Sequence, residues 1–111
     1  MGKVYLLGDW AKEGYYKIGV TKGDVEKRIK KLQTGNGGEI YLISYFETDF
    51  PFELEKMLHN RYQHTETHNE WFEMTNEEVG GFQKACEEFQ ESLDALRENY
   101  FFKKKHKKSY L

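Results

Sequence analysis

The alternation of apolar and polar residues divides the chain into short strands and amphipathic helices. Residues 3–7 and 15–20 are runs of aromatic and branched side chains, and the polar segment 8–14 between them is bounded by glycines. This pattern predicts an antiparallel β-hairpin. Residues 39–46 form the most hydrophobic stretch of the chain, which predicts a third strand at the centre of the sheet. Residues 70–73 are either a further short strand or a tucked segment.

Three helices are predicted from apolar residues that recur every three or four positions. The first lies within residues 24–35, and the second covers residues 51–62. The third covers residues 75–100 and begins with Thr75 and Glu78, whose spacing matches a capping box. Its apolar stripe either covers the sheet or forms the seam of a homodimer, and the first arrangement is the more common one.

Length and composition favour a single folded domain. The chain has 111 residues, of which 38% are hydrophobic and 16% aromatic, and this aromatic content separates it from disordered sequences. We expect an α+β fold, with a small, mainly antiparallel three-stranded sheet flanked by helices and a longer C-terminal helix. The core would occupy residues 1–75, the C-terminal helix residues 76–100, and a disordered basic tail residues 101–111.

The cysteine and hydropathy patterns exclude several classes of protein. Cys86 is the only cysteine, so the chain can form neither an intramolecular disulfide nor a thiolate zinc site. No apolar run approaches the roughly 20 residues that cross a bilayer, and none resembles a signal peptide. We therefore expect a cytoplasmic protein without a membrane partner.

The formal net charge of −2 conceals a strong separation of charge along the chain. Residues 1–38 carry a net charge of +4, residues 39–98 carry −11, and residues 99–111 carry +5. Phosphate binding depends on clustered cations rather than on the mean charge. The pattern predicts one basic surface suited to nucleic acid, one acidic surface and a basic tail.

Two positions on the predicted helices carry candidate chemistry. Arg28 borders the apolar stripe of the first helix, where it requires either a carboxylate partner or the phosphate of a substrate. Glu55 and His59 are four residues apart on the second helix and share a face with Leu58 and Tyr62. They are either an ordinary surface pair or a metal-binding carboxylate beside an imidazole.

The hairpin adds a third candidate. Period-two alternation places Tyr5 on one face of the first strand and Lys17 on one face of the second, so the two side chains can share a face of the sheet. A cation beside a phenol stabilises its ionised form. Strand statistics alone would make both residues ordinary members of the sheet.

The order of these residues resembles the GIY-YIG nuclease superfamily, in particular a phage-associated branch with KIG in place of YIG. The matching pieces are Val4-Tyr5-Leu6, Lys17-Ile18-Gly19 with eleven residues between Tyr5 and Lys17, Arg28, Leu32-Gln33-Thr34-Gly35-Asn36, Glu55-Lys56-Met57-Leu58-His59 and Glu70-Trp71-Phe72. Each piece alone is weakly specific, whereas the pieces together, in this order and at these spacings, form a specific match. The resemblance covers residues 3–75.

The resemblance implies cleavage of DNA phosphodiester bonds with one divalent cation, Mg²⁺ or Mn²⁺. Tyr5 would orient or deprotonate the attacking water, and Arg28 would stabilise charge on the scissile phosphate. Lys17 stands where the superfamily has its second tyrosine, and it would keep the Tyr5 phenolate accessible or hold the water. Glu55 would bind the cation. His59 would act as a proton relay or as a phosphate contact.

Further roles follow from the same resemblance and from charge. Tyr16 is a fallback for the missing second phenol. Nucleic-acid contacts are expected from four residues on or after the first helix: Lys27, Lys31, Gln33 and Asn36. The resulting hypothesis is a metal-dependent DNA endonuclease, located in the cytoplasm of the host cell if a phage encodes it. The alternatives are a non-catalytic nucleic-acid-binding module and an interaction or inhibitor protein that presents the acidic third helix.

Overall fold

The computed structural model of the protein describes residues 1–62 and 71–109, and it confirms the α+β class. The elements along the chain are β1 (Gly2–Asp9), β2 (Tyr15–Thr21), α1 (Val25–Thr34), β3 (Ile40–Thr48), α2 (Pro51–Tyr62), β4 (Trp71–Glu73), α3 (Asn76–Gly80) and α4 (Phe82–Ser109). None of the helices in the described part of the chain is long and apolar enough to span a membrane.

The sheet is antiparallel and has four strands in the order β3-β1-β2-β4. Two expectations are corrected here. The sheet has a fourth strand because β4, only three residues long, pairs with β2, and so short a segment carries no reliable period-two signal. β3 lies at an edge rather than at the centre. Its hydrophobicity has another cause, since it packs against α1 and against α4.

Helices cover both faces of the sheet and bury two separate apolar clusters. On one face, α2 and α4 cover a large cluster that includes Val4, Leu6 and Ile18. On the other face, α1 covers a small cluster that includes Tyr5 and Leu7. Alternate residues of β1 therefore belong to different clusters, as the period of a strand requires.

Local capping determines where the helices begin. The Asp24 carboxylate accepts a hydrogen bond from the Glu26 backbone N–H at 2.8 Å, which caps α1 as predicted. The capping box at the start of α3 is also confirmed, with Thr75 and Glu78 each bonded to the other's backbone N–H. The single third helix predicted there is instead two helices, because Gly80 and Gly81 favour a break.

The last helix extends further than expected. The backbone of α4 is helical to Ser109, whereas the charge pattern predicts a disordered tail from residue 101. Lysine is a good helix former, and no glycine or proline interrupts residues 82–109. The division of the chain into core, helix and tail stays a prediction, as does the homodimer.

Candidate active site

The Lys17-Ile18-Gly19 segment of β2 lies opposite the residues of β1 that face α1. Gly19 pairs with Tyr5 and Lys17 pairs with Leu7, so Tyr5 and Lys17 share the α1 face of the sheet, as the alternation predicts. A Cβ atom at Gly19 would lie only 2.6 Å from Cζ of Tyr5. Glycine at this position therefore lets the Tyr5 ring cross over β2.

Arg28 reaches the hydroxyl of Tyr5 from α1. Its Nε donates a long hydrogen bond of 3.4 Å to the Tyr5 hydroxyl oxygen. Tyr5 is 1% exposed, which fixes its ring, whereas Arg28 is exposed. Within the described residues no carboxylate forms an ion pair with Arg28, which disfavours the interpretation that it serves only a buried ion pair.

A basic cleft adjoins this hydrogen bond. Lys27, Arg28 and Lys31 line it together with Val20 and the β2–α1 connection, and its volume is about 450 Å³. The three cationic side chains follow the i, i+1 and i+4 positions of α1, which lie along one side of a helix. The cleft places the predicted phosphate-binding cations next to the open end of β2.

Glu55 and His59 approach the same segment from α2. The Nε2 atom of His59 lies 3.0 Å from the carbonyl oxygen of Ile18 and 4.0 Å from Oε2 of Glu55. The His59 ring also meets Phe72 edge-on, with the ring centroids 5.0 Å apart. Both side chains are partly buried, with about a quarter of each exposed, at 26% for His59 and 29% for Glu55.

The four principal candidates therefore converge on two consecutive residues of β2. The Tyr5 ring, with Arg28 beside its hydroxyl, lies over Gly19, and His59, with Glu55 beside it, contacts Ile18. The described residues of β4 pair with β2 as far as Lys17, which immediately precedes these two residues.

Glu55 is the acidic side chain of the described site, and it suits a divalent cation whose other ligands are water molecules and oxygen atoms of the substrate. In the described part of the chain no three His, Cys, Asp or Glu side chains cluster in a way that would hold a metal ion. Mg²⁺ is commonly held by one or two carboxylates, with waters and phosphate oxygens completing its octahedron. Glu55 is suited to that role, with His59 as its neighbour.

Gln33 and Asn36, predicted to contact nucleic acid, have their amide groups bonded within the protein. The Gln33 side chain donates to the Gly38 carbonyl at 2.7 Å and accepts from the Ile40 N–H at 2.7 Å. The Asn36 amide donates to Asp9 Oδ2 at 2.9 Å. Both residues fasten the α1–β3 connection, and their contact with nucleic acid stays a prediction.

The fallback tyrosine lies elsewhere. Tyr16 packs against the large cluster under α2 and α4, on the face opposite Tyr5, because successive residues of a strand alternate between faces. Trp71 is instead the aromatic neighbour of Lys17 across the β2–β4 pair, which sequence reasoning did not anticipate. Glu70 of the same motif lies outside the described residues.

Asp9 is a second residue that sequence reasoning missed. It is 2% exposed, and its carboxylate accepts hydrogen bonds from Asn36 and from the backbone N–H of Ala11 at 2.8 Å. Burial alone would raise the pKa of Asp9, but these hydrogen bonds and the charge of Lys12 outweigh it and lower that pKa below its ordinary value. An aspartate at the end of a strand, just before a polar loop, is a recognisable turn signal.

Comparison with known proteins identifies the family. A family model, the T5orf172 domain, matches residues 2–87. The chain belongs to the T5orf172 family. This family is phage-associated and related to GIY-YIG and HNH-like nucleases. Searches among curated proteins and among solved structures gave no significant match.

Membership of the T5orf172 family indicates a nuclease-like or DNA-binding role. The matched range includes every residue that lines the site described above. The charge separation agrees with this role, because the cations of α1 lie at the cleft of this T5orf172 domain.

Proposed function

We propose that the protein is a metal-dependent endonuclease that cleaves DNA phosphodiester bonds by GIY-YIG-type chemistry. The observation that carries the proposal is the hydrogen bond between Arg28 Nε and the Tyr5 hydroxyl beside Gly19, with Glu55 and His59 reaching the adjacent Ile18. A phenol, a guanidinium and a carboxylate around one open strand segment are the groups that phosphoryl hydrolysis uses.

The roles follow from charge and placement. Arg28 is exposed and bonded to Tyr5 by a single long contact, so its guanidinium is able to engage a phosphate and stabilise the negative charge that develops there. The Tyr5 oxygen, next to that cation, orients the attacking water and accepts its proton. Lys17, on the same face, adds a positive charge to this side of the sheet.

Glu55 is the residue that would hold the divalent cation. When bound, this cation supplies positive charge that stabilises the leaving oxygen. Lys27 and Lys31 line the cleft beside Arg28 and would hold the phosphates that flank the scissile one.

The test is a cleavage assay on plasmid and on single-stranded DNA with Mg²⁺, Mn²⁺ or EDTA. We expect metal-dependent cutting, and a loss of about 10²–10³-fold in Arg28→Ala and Glu55→Gln. Glu53→Gln is the matched control, because Glu53 is exposed one half-turn away on the same helix. Equal cutting in EDTA, or full activity in folded Arg28→Ala and Glu55→Gln proteins, would contradict the proposal.

One observation favours a second candidate, a DNA-binding module without catalysis. Lys17 occupies the position of the superfamily's second tyrosine, and the fallback tyrosine, Tyr16, faces the opposite side of the sheet. DNA binding that depends on Arg28 and Lys31, without turnover under any metal condition, would support this candidate instead.

A further inference from the structure

We infer that His59 is a positioning residue, which locks α2 onto the edge of β2 through the Ile18 carbonyl, and that it neither carries a proton nor contacts phosphate in the reaction. The inference rests on the proposed function for its consequence in catalysis. Its geometric basis, the hydrogen bond between His59 and Ile18, stands apart from that function.

The register of the sheet shows in which direction this carbonyl points. The Met74 N–H donates to the Gly14 carbonyl at 3.0 Å, so Gly14 and every second residue after it direct their backbone groups towards β4. Ile18 is next in that series after Tyr16. The described residues of β4 pair with β2 as far as Lys17, and the Ile18 carbonyl is bonded to the imidazole of His59.

The identity of the acceptor fixes the hydrogen on the ring. A backbone carbonyl only accepts hydrogen bonds, so Nε2 of His59 must carry a hydrogen whether the imidazole is neutral or charged. Nε2 therefore has no lone pair with which to take a proton, and Nδ1 is the only ring nitrogen that could take one. The 4.0 Å separation from Glu55 Oε2 is too long for a hydrogen bond, so the carbonyl is its principal partner.

Two further contacts hold the ring in this orientation. The edge-on contact with Phe72, a fully buried residue of the large cluster, restrains the ring plane. Glu55 lies one helical turn before His59 on the same side of α2, so the hydrogen bond from His59 to Ile18 also restrains the position of Glu55 relative to β2. A displacement of about 1 Å at such a group can cost 10²-fold in rate.

Two amide substitutions separate positioning from the other roles. In His59→Gln the side-chain N–H extends about as far as Nε2, whereas in His59→Asn it extends only about as far as Nδ1, and neither amide can relay a proton. We expect His59→Gln to retain cleavage within about 3-fold of wild type with an unchanged pH profile. We expect His59→Asn and His59→Ala to lose about 10–100-fold.

Other patterns overturn the inference. If all three variants lost cleavage activity equally, and one limb of the pH–rate profile were missing, His59 would be a proton carrier. If His59→Asn kept its cleavage activity while His59→Gln lost it, the functional contact of His59 would be made through Nδ1. Thermal unfolding of each variant is measured as well. The cleavage rates of His59→Gln and His59→Asn are compared at a temperature at which the same fraction of each protein is folded.

The hydrogen-bond pattern is also tested without activity. In long-range ¹H–¹⁵N spectra of the full chain at alkaline pH, we expect His59 to be the Nε2–H tautomer, with its Nε2 hydrogen protected from exchange. The Nδ1–H tautomer would overturn the inference. If the wild-type protein cuts no DNA, the proposed function fails, and the spectra still test the hydrogen bond between His59 and Ile18.

Discussion

The two faces of the sheet differ in what their side chains do. In the described residues, the face under α2 and α4 buries a cluster of twelve residues, while the face under α1 buries a cluster of four. The small cluster nevertheless contains Tyr5, the candidate catalytic phenol, whose ring lies over Gly19. This contrast indicates that the large cluster supplies most of the stability, whereas the candidate site combines Tyr5 and Arg28 from the α1 face with Glu55 and His59 from α2.

Charge follows the same division. The cations of α1 line the cleft, whereas the exposed surface of α4 between residues 82 and 98 is mainly acidic, with Glu87, Glu88, Glu91, Asp94 and Glu98. A DNA backbone is attracted to the first surface and repelled by the second. The two faces therefore differ both in packing and in the ligand they can accept.

The largest expected effect concerns the large cluster. Phe82→Ala removes a fully buried ring, and we expect the free energy of unfolding to fall by about 3–5 kcal/mol. Ile29→Ala truncates a half-buried side chain of the α1 cluster and should cost less than about 2 kcal/mol. Urea unfolding followed by circular dichroism measures both, and equal costs would remove the contrast between the two faces.

A smaller effect tests the crossing of Tyr5 over β2. Gly19→Ala places a Cβ against the Tyr5 ring, and overpacking of this kind costs about 1–3 kcal/mol. Gly37→Ala is the matched control, because no atom lies within 4 Å of a Cβ there. We expect Gly19→Ala to lower stability and cleavage together. Behaviour equal to that of the Gly37 control would place Tyr5 away from Gly19.

Asp9 tests the α1 side of the comparison, because it links the end of β1 to the α1–β3 connection. Asp9→Asn should cost about 1–3 kcal/mol at neutral pH, since its carboxylate accepts two hydrogen bonds in a buried setting. The folded-state pKa lies below the ordinary value of 3.8, so this stabilisation is complete above that value and is lost as the pH falls through the folded pKa.

The difference in stability between wild type and Asp9→Asn should therefore shrink on acidification below about pH 4. Chemical denaturation of the two proteins across a pH series measures it. A difference that grows under acid would reverse the sign of the pKa shift at Asp9.

The smallest effect concerns the cations of α1. Lys31 lines the cleft, whereas Lys30 is an exposed residue that does not. Lys31→Ala should reduce the slope of log binding constant against log salt by about 1, with Lys30→Ala as the matched control at unchanged slope. Fluorescence anisotropy with a labelled duplex gives both slopes. If both variants reduced the salt slope equally, DNA would contact α1 on more than the side that lines the cleft.

Particular residues show how far prediction from sequence reaches. Asp24 and Thr75 cap their helices through bonds to N–H groups two and three residues away, so their roles are readable from the sequence. The shared face of Tyr5 and Lys17 follows from alternation once the hairpin is assumed. The sequence does not decide between a strand and a tucked segment at residues 70–73, and it does not reveal the break at Gly81, because a three-residue strand and a glycine pair leave only weak local signals.

The candidate site was predictable as a set of residues and not as an arrangement. Arg28 and Tyr5 are 23 positions apart, and His59 and Ile18 are 41 apart. Whether such residues meet depends on the sheet order and on which face each helix covers. The same dependence explains Gln33 and Asn36, whose polarity suggested nucleic acid and whose amides bond within the protein.

The sequence by itself determined the strand alternation, the helix caps and the division of charge, because each depends on neighbouring residues or on simple counts. Only the tertiary structure decided that β3 is an edge strand, that Tyr16 faces away from Tyr5, and that His59 bonds to a strand carbonyl. These features arise from contacts between segments far apart in the chain, and such contacts form only when the complete core is packed.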